Sequence, residues 1–476
     1  MKAIHHLFFF FSMLSSIWVT AQTSQQSRLI VLSDIEAEVD DTESFIRLLL
    51  YSNEIEIQGL IATTSVWKKT SVAPEAIKKL IDVYGKVQPN LLKHDTRFPD
   101  ADALMVLVKS GLPKYGMEGV GKGKDSEGSD WIIKILEVNN ERPLWVSIWG
   151  GANTLAQALY KIKETKSPAE AKRLIAKLRV YTISDQDDSG IWIRNNFPDL
   201  FYIVSPGDDY GSATWVAINS FVKEINNEDI SNSWLAKNIQ QGHGPLGAAY
   251  PDVAYGMEGD TPSWLSLIPN GLNVPEHPEW GGWGGRYELY KPDFSKLKKG
   301  GSGVPFEPET RAIWTDTKDS YSPFINKEYG RTVGKDTVTF SDNKVTLWRW
   351  RNDLQNDFAA RMDWCTKSFK EANHPPFVVL NNPDQITVKS GQGFSLDAGA
   401  STDPDGDNLS FLWFNYPEAG SYKKLVTTSA ENAHGVYVVA PEVQNKQTIH
   451  FIVKVADKGT PALSRYKRVI VTVLPK

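Results

Sequence analysis

Five carboxylates fall within the eight residues from Asp34 to Asp41, in the order Asp34-x-Glu36-x-Glu38-x-Asp40-Asp41. Acids at that density repel one another unless a positive charge sits among them. Oxygen donors of this kind suit Ca²⁺ or Mg²⁺, and a calcium shell takes ~6–8 oxygens at ~2.3–2.6 Å. Asp40 and Asp41 by themselves could cap a helix beginning at Thr42, where acids favour the dipole. Capping leaves Asp34, Glu36 and Glu38 unexplained. A cation in such a cluster acidifies and orients water, and a carboxylate can take the proton. Neighbouring anions stabilise the oxocarbenium-like state of a breaking glycosidic bond. Competing chemistry is thin. The single cysteine, Cys365, reads as a small buried apolar residue. Two of the eight histidines, His5 and His6, lie in the apolar N-terminus.

The cluster follows an apolar run, Leu29 to Leu32, that predicts a strand. Thr42 to Tyr51 predicts a helix, Ile55 to Thr63 a second strand, and Pro74 to Tyr84 a helix ending at Gly85. Leu144 to Trp149 predicts a strand, a helix follows from Asn153, and Leu178 to Ser184 predicts another strand. Strands alternating with helices mean an α/β fold with a doubly wound, mostly parallel sheet, whose ligands sit at the carboxyl ends of the strands.

Residues 1–21 carry one Lys, an apolar run and Val19-Thr20-Ala21, the pattern of a signal peptide cut after Ala21. The reading is therefore a secreted or periplasmic protein with no integral membrane segment after cleavage. Beyond Asn373 the grammar changes to short strand-like runs separated by Gly, Pro, Asp and Asn, which predicts an antiparallel β-sandwich. The expected division is residues 28–372 for the α/β domain and 373–476 for an Ig-like domain. With 52 basic against 57 acidic residues and no basic stripe, nothing points to nucleic acid.

The stretch from Leu29 to Thr64 resembles the nucleoside hydrolase family, which opens with a strand and D-x-D-x-G-x-D-D. It is closer still to a secreted bacterial family described as cellulose-binding, with a nucleoside-hydrolase-like domain. The Trp-rich segment from Pro278 to Tyr287 and the block from Gln355 to Trp364 resemble that subfamily too. The resemblance implies Ca²⁺ held by Glu36, Asp41, the Trp149 carbonyl and Asp260. It implies that Glu36 is the general base and that Asp34 orients the ligands beside it, the two forming the catalytic set. Asp40 would bond a sugar hydroxyl, and Asn195, in Arg194-Asn195-Asn196, would help to hold the sugar. Glu38 stands where nucleoside hydrolases keep Gly, and Trp67 and Lys68 where they commonly have Gly-Asn; all three are read as substrate-binding. Gly259 stands where several of those enzymes place an acidic His.

Trp280 and Trp283, in a glycine-rich setting, are candidates to stack on sugar, against core packing as the alternative. Glu258 and Glu279 are candidates for protonating an O-glycoside's leaving group. His243 is a weaker candidate acid in a loop. The expectation is a secreted calcium-dependent hydrolase of N- or O-glycosyl bonds in a carbohydrate-derived glycoside, with metal-bound water as nucleophile. The alternative is a non-catalytic polysaccharide (cellulose)-binding protein on the same scaffold. The sequence leaves open whether the chain forms an oligomer.

Overall fold

A computed structural model describes residues 25–223, 225–254, 256–323 and 338–476. The expected signal peptide, residues 1–21, lies outside the described residues. The strands in chain order are β1 (Ser27–Ser33), β2 (Ile55–Ala62), β3 (Val108–Ser110), β4 (Leu144–Ile148), β5 (Leu178–Ser184), β6 (Phe201–Ser205), β7 (Tyr287–Tyr290) and β8 (Ile313–Asp316). They form one sheet in the order β3-β2-β1-β4-β5-β6-β8-β7. Every pairing is parallel except β7 with β8. The inner strands are almost wholly buried, which is why they read as continuous apolar runs rather than alternating ones.

Strand order reverses between β1 and β4, and the crevice at their carboxyl ends is where such sheets hold ligands. Helix α1 (Asp40–Leu50) leaves β1 there and turns Phe45, Ile46, Leu48 and Leu49 inward. Helix α2 (Pro74–Leu91) does not stop at Gly85 as expected. A Cβ at that position would lie 3.0 Å from the Ala101 side chain, so the glycine permits close packing rather than an end. Val87 and Leu91 continue the buried face beyond it.

A short hairpin joins β9 (Asp319–Tyr321) to β10 (Phe340–Asp342). The C-terminal part has a four-stranded sheet, β11 (Gln385–Lys389) beside β16 (Ser464–Leu474), β15 (Gln447–Ala456) and β13 (Ser410–Asn415). A second sheet pairs β12 (Gly393–Asp397) with β14 (Gly435–Val439). Alternate residues of both sheets, with Trp413 fully buried, make its core. β11 departs from the antiparallel pattern: it runs parallel to β16, completing one edge of the larger sheet.

The two parts share a core. Tyr416, Ala419, Ile452 and Tyr466 pack within the same apolar cluster as the α/β residues. Cys365 is buried there as well. Among the described residues no helix is long and apolar enough to cross a membrane.

Candidate metal centre and pocket

Asp34 is the first residue past β1 and is buried. Backbone bonds from Trp149 N–H to Leu32 O (2.8 Å) and from Thr63 N–H to Ser33 O (2.8 Å) tie three strand ends together around it. Gly150 is needed at that junction, since a Cβ there would come within 2.7 Å of the Asp34 carboxylate. Asp40 and Asp41 occupy the first turn of α1, where free N–H groups favour anions. Ser33 Oγ donates to Asp41 Oδ1 at 2.5 Å. Asp260 reaches the same place from the segment before Pro262. Oxygens of Asp40, Asp41 and Asp260 lie within 4.8 Å of one another.

Behind Asp260, Glu258 is fully buried with φ 52°, a strained left-handed value for a side chain of its size. Its N–H donates to Glu43 Oε2 (2.7 Å), Tyr250 O–H donates to its carboxylate (2.7 Å), and Arg47 Nε pairs with it at 2.5 Å. These bonds hold the turn that presents Asp260. They also commit Glu258 to Arg47 and Tyr250, which removes it as a leaving-group acid. Gly259 fits because a Cβ would meet Asp40 Oδ2 at 2.8 Å and the Trp215 ring at 3.1 Å.

The pocket has a volume of about 40 Å³ and is lined by Asp34, Glu38, Asp40, Asp41 and Asp260, with Trp67, Tyr210 and Trp215 forming an aromatic side. Trp67 meets Tyr210 at 6.4 Å between ring centroids, and Tyr210 meets Trp215 at 5.7 Å. Burial, then Glu38 and Asp34, pushes the Asp40 carboxyl up to about 7. Burial followed by its acidic neighbours also raises Asp41 and Asp260 well above the carboxylate range, and burial raises Asp34. Asp260 Oδ2 is buried without a hydrogen-bond partner. An all-oxygen set of crowded carboxylates with an unpartnered buried oxygen fits a hard divalent cation.

The chelated protein should therefore lose stability as pH rises. Each of these carboxyls binds its proton more tightly folded than unfolded, so the stability they add is full below about pH 4 and is lost as pH rises, for Asp40 as pH passes about 7. Urea unfolding with chelator at pH 4.5 and 7.5 measures it; a midpoint that rises or stays level across that window contradicts it. Cation binding should abolish the loss.

Glu36 is not part of this cluster. At φ 74° its carboxylate turns to the exposed rim and pairs with Lys68 Nζ at 3.1 Å. Lys68 also donates to Ile35 O at 3.1 Å, so it stitches the rim loop together. The Trp149 carbonyl faces the pocket region but accepts from Gln186 Nε2 at 2.5 Å, while the Trp149 ring packs on Phe45. Asn195 lies elsewhere, exposed, accepting from Thr310 Oγ1 at 2.8 Å. It sits near the far end of the helix Ser189–Asn196, about two turns beyond the strand end, and adjacent Arg194 is locked to Asp185 and Glu309. Trp280 and Trp283 are also elsewhere. Trp283 is fully buried against Tyr466 of β16, and Trp280 stacks on His277 at 3.9 Å and meets His450 of β15 at 4.9 Å. Both join the two parts of the chain. Glu279 pairs with His277 (2.9 Å), and His243 with Asp363 (3.1 Å), so neither reaches the pocket.

Three wall residues escaped the sequence reading. Gln186 is the second residue past β5, a position the strand-end rule could have marked; Tyr210 and Trp215 come from an irregular segment without periodicity.

Residues 28–287 match the family model described as cellulose-binding Sde182, nucleoside hydrolase-like domain. The chain belongs to that family. Residues 393–473 match the model for the cellulose-binding protein Sde0182, C-terminal domain. A solved structure is similar across 95% of this chain and 100% of its own, at 34% identity and a TM-score of 0.77. It is a nucleoside hydrolase-related hypothetical protein from Saccharophagus degradans, described as associated with carbohydrate metabolism. No match was found among curated proteins. As a Sde182-type domain, the α/β part thus carries its acidic pocket at the crevice expected of a nucleoside hydrolase-like sheet.

Proposed function

We propose that the chain is an exported, calcium-dependent hydrolase of glycosidic bonds in a carbohydrate-derived glycoside. Residues 28–372 would carry the chemistry and residues 373–476 an accessory Ig-like domain, with export by cleavage after Ala21. The observation that carries this reading is the group of half-buried Asp40 with buried Asp41 and Asp260, and its unpartnered Asp260 oxygen. These three residues, with the Trp149 carbonyl, would hold the cation. When bound, it supplies positive charge that keeps the carboxylates ionised and acidifies water.

The remaining work falls to side chains around it. Asp34, buried at the strand end, is the carboxylate placed to take a proton from water as its oxygen bonds to the anomeric carbon. The glycosidic bond breaks with its electron pair on the leaving atom. Tyr210 lines the same pocket, burial keeps its phenol protonated, and its O–H would donate to that atom. Trp67 and Trp215 would flank the sugar ring, and half-buried Asp40 would also accept from a sugar hydroxyl. Glu38 narrows the mouth, which favours a small sugar end over a nucleoside's base.

The second reading, a polysaccharide binder without turnover, is favoured by the family's cellulose-binding description and by Glu36 turning away from the cluster. Sugar release from ribonucleosides, aryl glycosides and plant or algal oligosaccharides, with calcium and with chelator, separates them. Asp34→Asn should cut chelator-sensitive release about a hundredfold or more, and Glu36→Gln far less. Absence of release from every substrate, with retention on insoluble cellulose, would leave the binder.

A further inference from the structure

A second, larger cleft of about 660 Å³ opens where the α/β part meets the C-terminal strands. Asn53 and Glu54 line it immediately before β2 begins, so it lies at the amino ends of the strands. The acidic pocket is at the opposite ends, about 25 Å away by the rise along the eight residues of β2.

One wall is a ladder of near-parallel rings. His94 stacks on Trp364 (5.3 Å, 6° between planes), and His374 stacks on Phe369 (3.9 Å, 17°). His94 and His374 are joined through Nδ1 and Nε2 at 2.9 Å, and Asp405 holds the other His374 nitrogen at 3.0 Å. The ladder is thus fixed in place, with Phe369 39% exposed at its end. Phe377, 62% exposed, lies on the same cleft. Two large rings open on one cleft, on a rigid support, are the kind of gathered apolar surface that marks a ligand-binding groove.

The charges of the cleft are largely paired off. Asp95 is tied to Arg97 at 2.6 Å, Glu54 to Arg361 at 2.8 Å and Arg465 to Asp357 at 2.5 Å. Asn270, buried on the lining, leaves its Nδ2 without a hydrogen-bond partner. Lys467, exposed on the same lining, adds one ammonium, so the cleft carries little net charge with which to hold a strongly anionic or cationic polymer. Flat apolar faces with amide and hydroxyl-matching groups beside them suit an uncharged polymer whose rings are apolar on the face and polar at the edge.

We infer that this cleft binds an uncharged, flat β-linked glucan chain, stacked on Phe369 and Phe377, at a site separate from the acidic pocket. The inference stands without turnover in that pocket, and it assigns the family's cellulose association to a place.

The test uses the full mature chain, with cellohexaose titrated by calorimetry and retention on insoluble cellulose measured beside it. Phe377→Ala should weaken cellohexaose binding about tenfold, and Phe369→Ala by at least as much, with melting temperatures checked against wild type. Phe377 is exposed, so its variant should fold normally. Asp41→Asn should bind cellohexaose as wild type does. The proposal fails if wild type binds neither probe, if both Phe variants bind unchanged, or if Asp41→Asn abolishes binding, which would put the glucan in the acidic pocket. It fails equally if sedimentation shows that Phe377→Ala disrupts a dimer in which a second copy covers the cleft. Loss of sugar release with binding intact would count against the hydrolase alone.

Discussion

Asp260→Asn should change calcium affinity and apo stability in opposite senses. In the wild type Asp260 shares a small buried space with Asp40 and Asp41, and one of its oxygens has no partner. If calcium binds there, a thousandfold excess over Kd would stabilise the folded chain by about 4 kcal/mol. For a domain of this size that is a rise in melting temperature of about 8 °C, at roughly 2 °C per kcal/mol. The amide keeps the shape of Asp260 and loses its charge, so affinity should fall about a hundredfold or more and the rise should vanish at the same calcium concentration. Without calcium the order reverses. The variant has one fewer like charge in the cluster and should melt above the chelated wild type. Calorimetry with calcium, with magnesium and with chelator reads both effects. A variant that matches wild type in all three conditions would show that no cation sits there.

The elements legible in the sequence were those whose burial is continuous along a strand or periodic along a helix. β5 was read as Leu178 to Ser184 because both faces of that strand are covered, so every residue in it but Arg179 is buried. Asp34, Asp40 and Asp41 were legible as one group because they lie next to each other at a strand end, and the strand-end rule needs only local order. Asp260 came from resemblance, since two hundred residues separate it from them in sequence. What stayed hidden depends on tertiary packing. The side-chain direction of Glu36 follows from a left-handed backbone that no propensity for Glu predicts. Trp280 and Trp283 looked like sugar platforms because glycines surround them. Those glycines instead let the chain lie against the C-terminal part; a Cβ at Gly281 would collide with the Tyr416 hydroxyl, for instance. A core shared by two regions nearly two hundred residues apart leaves no periodic mark on either.

That shared core gives the largest structural effect, expected at Asp357. It projects from the helix Arg351–Asp363 between the two parts of the chain. Tyr51 O–H donates to its Oδ1 at 2.7 Å and Arg361 Nε at 3.0 Å, while Arg465 of β16 donates to Oδ2 at 2.5 Å. Burial by itself would raise this carboxyl, but Arg465 and Arg361 outweigh it and hold it well below the usual carboxylate range. Its contribution is therefore present above about pH 4 and persists through mild acid, being lost only as pH falls through the depressed value. Asp357→Ala leaves two buried guanidinium groups without this partner. Arg361 keeps Glu54, the Leu50 carbonyl and Asn53, whereas Arg465 keeps the Ser464 carbonyl at 2.9 Å and, of carboxylates, a longer contact with Glu54 at 3.9 Å. Truncating one member of a buried ion pair costs about 3–5 kcal/mol. The loss falls on the seam, so the C-terminal strands should unfold in a separate, earlier transition than the α/β sheet. Scanning calorimetry at pH 7 resolves this. A single transition shifted by less than about 1 °C would mean that the two parts are held together by their apolar contacts alone, with the ion pairs contributing nothing net.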